Sequence, residues 1–553
     1  MRKYRHLLNL GRAKGLFISN RAPWAQQASP VKSHQLSRCT QQPPPLPPSS
    51  CSRISINKCN AGNIVSRHYL HASLGNLTRI HSHFHYSTLE ASQLDYEEEQ
   101  SSVDYHVIVK DRDVVSASIT PAYKHWLPLS NLDLLLPPVA AGVFFCYKKK
   151  DGVPMSPATV VKTFRTSLAE ALSTFYPLAG EIVQNNQGEP ELLCNNSGVE
   201  FVHAQADIEL KDLDFHRPDD SVKGKLVPKI NRGVLSVQVT ELNCGSIIIS
   251  CSIDHRVADG QSLNMFLVSW AEIAQMKQIT NIPSFRTSIL NPRKPPTYDT
   301  LVDSLYLPIS FLPPPPSFQD TLYSRMYYIT AESINRIQSQ ASSMETRRSK
   351  LQSFTAFLWK LLAHGGDDNV NTNSRMGIVV NGRQFLNENN EKSSAHMENH
   401  FGNVLSIPYG SAKNEDLKTM PLNEVADEVH KFVAKATKEE HFRGLIDWVE
   451  LHRPEPAVAK IYFGLKEIEG EATVVSSGQG LPIKDMDFGW GKPEFGSYHF
   501  PWGSQSGYLT PMPSAKNNGD WVVYMHLKQK DLDLIENMAP GVFTPLNNSH
   551  LSF

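Results

Sequence analysis

The chain has 553 residues, of which 40% are hydrophobic and 20% charged. This is the composition of a globular protein, and the length predicts at least two domains. The formal net charge of −1 is unevenly distributed, because residues 1–89 contain no Asp or Glu and 12 Lys or Arg. The remainder is therefore acidic, which argues against a nucleic-acid partner. The sequence contains no run of about 18 apolar residues, so it predicts no membrane span.

The first 100 residues differ from the rest and predict a disordered or transit-like basic leader. The opening residues 1–17 have the pattern of a basic amphipathic helix, as organelle-import peptides do. The leader is either a signal for plastid or mitochondrial import or an extension without a targeting function. Without import, the protein is expected in the cytoplasm. His81, His83 and His85 alternate, but no Cys or acid completes a metal site there.

The elements predicted between residues 103 and 285 are mixed strands and helices. Alternation after Val103 predicts a strand, the apolar run 142–147 predicts another, and 158–176 has helical periodicity. Residues 234–242 and 246–253 predict two strands joined by a short turn, which is typical of a hairpin. This part of the chain predicts an N-terminal domain.

A proline-rich segment, 286–320, predicts an irregular crossover linker, because proline at this density continues neither a helix nor a central strand. Residues 321–553 then predict a second domain. Its clearest elements are a helix at 351–359, a strand at 377–380, a helix at 423–437 and a strand at 521–527. Strands and helices in mixed order predict an α/β (α+β) fold in both halves.

One stretch has the pattern of a catalytic site. The buried strand ending at Ile253 opens into a loop, 255–260, and an apolar-periodic helix starts at Ser262. A histidine at such a strand end is held rigidly and still reaches a substrate, and its ordinary pKa of about 6.5 suits a general base. A hydrogen-bonded core histidine is the alternative interpretation of His255. Gly260 would permit a tight turn after it.

The acid of this loop, Asp259, could orient either the loop or the imidazole, with Arg256 competing for the carboxylate. No GxSxG elbow, activated cysteine or Gly-rich phosphate loop accompanies it. The body cysteines show no CxxC spacing and predict reduced, largely buried thiols. They are Cys146, Cys194, Cys244 and Cys251. The residues alone therefore predict a general base without naming its reaction.

Two motifs together resemble a known family. Residues 255–260 match the HxxxDG motif of the plant BAHD acyltransferases, and 487–491 reproduce that family's DFGWG motif about 230 residues later. Residues 129–133, 176–180 and 401–403 are similar to further family landmarks in the same order. The resemblance covers roughly residues 103–550 and leaves out the leader.

The resemblance implies two chloramphenicol-acetyltransferase-like domains joined by a long crossover, with an active-site channel between them. It implies acyl-coenzyme A as co-substrate, a small-molecule alcohol acceptor, no tightly bound cofactor, no metal and a monomer. His255 would deprotonate the acceptor, which then attacks the thioester directly. A zinc hydrolase built on His255 and Asp259 is a distant alternative, and a non-catalytic protein on the same fold is another.

The resemblance also implies supporting roles around His255. Asp259 would pair with a downstream arginine, for which Arg286 is the matching candidate, and would brace the loop together with Gly260. The DFGWG residues would form a structural loop remote from the chemistry; they are Asp487, Gly489, Trp490 and Gly491. Arg383 matches a family position near the coenzyme A phosphates, with an ordinary surface arginine as the alternative.

The acceptor is indicated by a departure from the family pattern. Hydroxycinnamoyl transferases that use shikimate or quinate carry Thr-Ser-Trp before a Leu-Pro-Ile, where this chain has Ser476-Ser477-Gly478. The missing indole argues against a shikimate ester. Residues 126–133 and 445–450 are most similar to the coniferyl alcohol acyltransferase branch. The sequence thus predicts transfer of an acetyl or hydroxycinnamoyl group to a phenylpropanoid-type alcohol, with N-acylation of an amine as the alternative.

Overall fold

The computed structural model describes most of the chain after the leader. The described residues are 104–119, 124–149, 156–312, 320–366, 372–386, 397–463, 469–502, 506–551 and 553. The predictions of an import signal and of a histidine cluster at 81–85 lie outside them. Within these ranges, no helix combines the length and hydropathy that crossing a membrane requires.

The strands are numbered here in chain order. They are β1 (Val107–Val115), β2 (His125–Pro128), β3 (Ala140–Tyr147), β4 (Glu181–Gln184), β5 (Pro190–Cys194), β6 (Val199–Ala206), β7 (Leu235–Leu242), β8 (Ile247–Asp254), β9 (Tyr306–Pro308), β10 (Leu322–Ile329), β11 (Asn373–Ile378), β12 (Val380–Asn381), β13 (Leu405–Ser406), β14 (Tyr409–Lys413), β15 (Ala457–Ala459), β16 (Glu471–Val475), β17 (Phe495–His499), β18 (Gly507–Pro513), β19 (Trp521–Lys528) and β20 (Thr544–Pro545).

The helices lie mainly between and after these strands. They are α1 (Pro157–Thr174), α2 (Pro218–Ser221), α3 (Gly260–Ala274), α4 (Leu301–Leu305), α5 (Ala331–Gln340), α6 (Lys350–Leu362), α7 (Asn414–Thr419), α8 (Leu422–Ala436), α9 (Glu439–His452) and α10 (Gln529–Met538). Short 3-10 turns connect some of these elements, Asp133–Leu135 between β2 and β3 and Tyr176–Ala179 between α1 and β4.

The first sheet has the strand order β1-β6-β7-β8-β3-β17. The predicted hairpin is confirmed, since β7 and β8 pair antiparallel, and Gly245 in the turn has a φ of 79°. The strand at the end of this sheet, β17, comes from far downstream and pairs with β3, Phe495 lying opposite Cys146. The first sheet is therefore completed by the second half of the chain.

The second sheet has the order β14-β11-β16-β18-β19-β10-β20 and belongs wholly to the second half. Its centre is parallel, from β11 through β16 to β18, while the remaining pairs are antiparallel. Mixed sheets covered by helices confirm the predicted α/β class.

Each sheet has its own apolar core. In the first, α1 and α3 bury Phe164 and Trp270, whose rings meet edge to face with centroids 5.6 Å apart. In the second, α6 buries Phe354 and Trp359. Burying each such ring contributes about 2–3 kcal/mol. Of the four body cysteines, all are free thiols and three are buried, as predicted.

The predicted linker carries regular structure. Its residues include α4 and β9, and β9 pairs antiparallel with β15 of the second half. Proline-based reasoning missed these elements because the prolines lie outside α4 and only at the end of β9. Pro308 is the last residue of β9, in a two-stranded ladder where a missing N–H is tolerated.

Candidate active site

His255 is the first residue after β8 and is held through its backbone on both sides. Its N–H donates to the carbonyl of Val139 at 2.9 Å, and its own carbonyl accepts from Asn403 Nδ2 at 2.9 Å. The imidazole is partly buried, with its ring centroid 6.0 Å from that of Phe500. Nδ1 is enclosed and has no partner among the described residues. The backbone of His255 is thus held by hydrogen bonds on both sides.

The next acid, Asp259, caps the helix that follows. Its Oδ1 accepts the Ser262 N–H at 3.0 Å, which is the hydrogen bond of an N-cap residue. The helix consequently begins at Gly260, two residues earlier than the sequence indicated. Gly260 does not have a left-handed φ, and an added Cβ would make ordinary contact with the Tyr498 hydroxyl at 3.7 Å. The turn around His255 is closed by the Val257 N–H, which donates to the Asp254 carbonyl at 3.0 Å, so it does not depend on Gly260 as predicted.

Asp259 forms a buried ion pair with Arg383. Arg383 Nη1 lies 2.6 Å from Asp259 Oδ2, Nη2 lies 3.1 Å from Oδ1, and the side chains are 3% and 1% exposed. The predicted partner, Arg286, is instead an exposed residue, so that prediction is wrong. Burial alone would raise the pKa of Asp259, but the charge and hydrogen bonds of Arg383 outweigh it and lower the pKa.

Further bonds of Arg383 go to residues 400–402 of the second half and to Ser262 of α3. Its Nη2 also donates to the carbonyls of Gly402 at 2.9 Å and His400 at 3.1 Å, and to Ser262 Oγ at 3.1 Å. A guanidinium this enclosed does not reach a phosphate in solvent. Its assignment to the coenzyme A phosphates is therefore corrected: Arg383 holds the His255 loop to residues 400–402.

The other arginine of the loop, Arg256, does not compete for Asp259. It pairs with Asp254, with Nε 3.0 Å from Oδ1 and Nη2 2.6 Å from Oδ2. Asp254 is the last residue of β8, so this pair closes the turn locally. The carboxylate of Asp259 therefore pairs with Arg383 and not with Arg256. Among the described residues, its hydrogen bonds go to Arg383, Ser262 and Val404 and not to the imidazole of His255.

Two further residues, Asp133 and Asn403, complete the surroundings of His255. Asp133 Oδ1 accepts from the backbone N–H of Asn403 at 2.7 Å and from its Nδ2 at 2.9 Å. The sequence showed both only as family landmarks, in segments about 270 positions apart. Sequence reasoning could find the residues but not the contact, because no local pattern links such distant turns.

The DFGWG loop packs on the first core although it belongs to the second half of the chain. Asp487 Oδ1 accepts the N–H groups of Gly489 at 2.8 Å and Gly491 at 3.0 Å, and both glycines have a φ near 108° that a side chain would disfavour. Trp490 meets Phe164 edge to face, with centroids 5.2 Å apart.

The position of this loop relative to His255 follows from α3. Gln275, directly after that helix, donates to the carbonyl of Asp487, whereas Asp259 lies at the other end. A helix of 15 residues is about 22 Å long. The DFGWG loop therefore lies at the far end of α3 from the His255 loop.

The family follows from the extent of the match. The model of the Transferase family matches residues 105–540, which is most of the chain and includes every residue of the site described above. The chain belongs to the BAHD acyltransferase family. It is therefore an acyltransferase, of a family that uses acyl-coenzyme A as co-substrate.

Relatives and solved structures agree with this membership. The hydroxycinnamoyltransferase of Narcissus pseudonarcissus is 27% identical over 431 residues, covering 75% of this chain and 94% of that protein. The crystal structure of vinorine synthase has a TM-score of 0.59 at 21% identity, covering 80% of this chain and 99% of that one. TRI101 of F. graminearum, complexed with coenzyme A and T-2 mycotoxin, has a TM-score of 0.61 at 14% identity, covering 75% and 97%. The likeness to these structures confirms the two-domain BAHD fold.

Buried neutral histidines lie elsewhere in this BAHD protein and give it a predictable acid sensitivity. Burial lowers the pKa of His499 and of His441 to about 4 in each case. An unfolded histidine has a pKa of about 6.5, so between these values the unfolded chain binds more protons. The stability is therefore present above about pH 6.5 and lost as the pH falls towards 4.

We expect the melting temperature to fall on acidification from pH 7 to pH 4.5, and His499→Phe to reduce that slope. His499 is 4% exposed, and neither ring nitrogen has a hydrogen-bond partner among the described residues, so phenylalanine loses no bond there. The measurement is the melting temperature of each protein at several pH values between 7 and 4.5. His106→Gln, at a side chain 79% exposed, is the control and should leave the slope unchanged. Equal slopes for the wild type and His499→Phe would contradict the prediction.

Proposed function

We propose that this protein transfers an acyl group from acyl-coenzyme A to the hydroxyl of a phenylpropanoid-type alcohol, with His255 as the general base. The observation that carries the proposal is the placement of His255. Its two flanking peptide groups are tied to Val139 and Asn403, and its loop is anchored by the buried pair of Asp259 and Arg383. A backbone held in this way keeps the imidazole near one position, from which a ring nitrogen can take the proton of a bound hydroxyl.

The reaction needs no covalent intermediate on the enzyme. Since Nδ1 is enclosed, Nε2 of His255 takes the proton of the acceptor hydroxyl. The oxygen attacks the thioester carbonyl, and the tetrahedral intermediate collapses with cleavage of the C–S bond. The coenzyme A thiolate recovers the proton from the imidazolium, so the products are an ester and coenzyme A. Asp259 is engaged by Arg383 and takes no part in the proton transfer.

Aromatic side chains beside His255 support a phenylpropanoid acceptor. Phe500, next to the imidazole, meets Trp502 edge to face at 5.5 Å and Tyr508 at 5.1 Å between centroids. Trp502 in turn stacks on Tyr462 at 4.7 Å. Such a cluster suits an aromatic ring, because edge-to-face contacts add to the burial of apolar area.

The surroundings of Gly478 support an acceptor other than shikimate. A Cβ added at this position would lie 2.6 Å from Thr510 Cγ2 and 2.7 Å from Met512 Cγ. Strand β18 thus fills the space that a side chain would need. The indole wall that resemblance associates with shikimate esters does not fit here without movement of these residues.

A panel of donors and acceptors tests the proposal. Purified protein is incubated with acetyl-, coumaroyl- or caffeoyl-coenzyme A and with coniferyl alcohol, shikimate or tyramine, and the products are separated by mass. We expect an ester of coniferyl alcohol and none of shikimate. Amide formation from tyramine alone would replace the proposal with N-acylation. No product from any pair would indicate a non-catalytic protein on the BAHD fold.

A further inference from the structure

We propose that Asp133 is a positioning residue for His255 and acts through Asn403. The inference rests on the proposed function, in which His255 is the base. Asp133 lies in the turn between β2 and β3, and Asn403 follows the second-half segment that Arg383 binds. Asp133 does not touch the imidazole. Its effect is on the backbone that carries it.

The chain of contacts is continuous and buried. Asp133 is 6% exposed and Asn403 is fully buried. A single nitrogen, Asn403 Nδ2, donates to Asp133 Oδ1 at 2.9 Å and to the carbonyl of His255 at 2.9 Å. The backbone N–H of Asn403 adds a second bond to the same carboxylate oxygen at 2.7 Å. Asp133 therefore binds both the side chain and the main chain of the residue that holds His255.

Asp133 also decides which way the amide of Asn403 faces. Both neighbours on this side, the carboxylate of Asp133 and the carbonyl of His255, accept hydrogen bonds and cannot donate them. Only the NH₂ group of the amide satisfies both. Without Asp133, only the carbonyl of His255 keeps the NH₂ group of Asn403 on this side. If the amide rotated, its oxygen would lie against that carbonyl.

The other oxygen of the carboxylate ties this contact to a rigid turn. Asp133 Oδ2 accepts from the Ser130 N–H at 2.9 Å and from Ser130 Oγ at 2.6 Å. The four donors to this carboxyl, two from Ser130 and two from Asn403, are all neutral. Burial raises the pKa of Asp133. A buried carboxyl held only by neutral donors is costly to fold, whereas an apolar residue there would be cheaper. Its position next to Asn403 accounts for its presence.

The neighbouring Asn131 provides a matched control. It is 4% exposed, lies in the same turn, and also bridges to the second half. Its Nδ2 donates to the Ile446 carbonyl at 2.9 Å, and its Oδ1 accepts from Arg453 Nη1 at 3.1 Å. None of these bonds leads to Asn403. Asn131→Ala therefore removes comparable buried hydrogen bonds from the turn without changing what holds His255.

The test compares Asp133→Ala, Asp133→Asn and Asn131→Ala in the full-length protein, with kcat, KM for the acyl-coenzyme A and melting temperature measured for each. We expect Asp133→Ala to lower kcat about 10- to 100-fold with KM changed less than about threefold, because a base displaced by about 1 Å loses rate rather than affinity. Asp133→Asn keeps an oxygen for Asn403 and should recover most of kcat. Asn131→Ala should lower the melting temperature and keep kcat within about twofold.

Equal losses of kcat in Asp133→Ala and Asn131→Ala would overturn the inference, as would full kcat in a folded Asp133→Ala protein. A His255→Ala protein that keeps its turnover would instead overturn the proposed function, so the two failures are distinguishable.

Discussion

His255→Ala should lower kcat for ester formation by about 10²–10⁴-fold, the range that a positioned general base contributes. The two acids nearest to His255 in sequence are already paired, Asp259 with Arg383 and Asp254 with Arg256, so the proposed mechanism gives the acceptor proton to His255. The measurement is the initial rate of coenzyme A release at saturating alcohol and acyl-coenzyme A.

The fold should survive this change, because the bonds that hold the loop come from the backbone of His255 rather than from its ring. We therefore expect a melting temperature close to that of the wild type. His255→Gln is the matched variant that keeps a polar side chain without a base, and it should be equally slow. Turnover within tenfold of the wild type in either variant would exclude His255 as the base.

Arg383→Ala should destabilise the protein by about 3–5 kcal/mol, the usual cost of removing one partner from a buried ion pair. It leaves Asp259 enclosed without its counter-ion, and the carbonyls of His400 and Gly402 lose the hydrogen bonds that Arg383 donates. The measurement is the free energy of unfolding in urea.

Arg286→Ala is the matched control, because Arg286 is exposed. It should change the free energy of unfolding by less than about 0.5 kcal/mol. The comparison decides whether Asp259 pairs with Arg383, as in the structure, or with Arg286, as the resemblance implied. An unfolding free energy unchanged in Arg383→Ala, together with a raised KM for acyl-coenzyme A, would favour the phosphate-binding role after all.

The local pattern of the chain predicted the elements around His255 well. The hairpin of β7 and β8 was found because both strands are short, apolar and joined by a turn with a glycine. The predicted start of α3, Ser262, lies two residues too late, because apolar periodicity does not reveal the capping bond of Asp259 that begins the helix at Gly260. The local sequence therefore predicted the paired strands, but not the exact first residue of the helix.

Partners across the two halves were not predictable in the same way. The resemblance implies a downstream arginine as the partner of Asp259 and Arg286 as the matching candidate, whereas Arg383, 124 positions away, makes the bond. The contact of Asp133 with Asn403 joins two turns from different halves. Ion pairs and buried amides of this kind depend on how the domains pack, which periodicity does not encode.

The pairing of β17 with β3 also has a consequence during protein synthesis. Roughly 350 residues separate the two strands, so at about 5–20 residues per second β3 waits on the order of 20–70 s for its neighbour. Throughout that time the backbone N–H and C=O groups on the β17 side of β3 are unpaired and can bond to another extended segment. The nascent protein thus has a window in which mispairing competes with folding, and the ribosome must release most of the chain before the sheet that presents His255 can close.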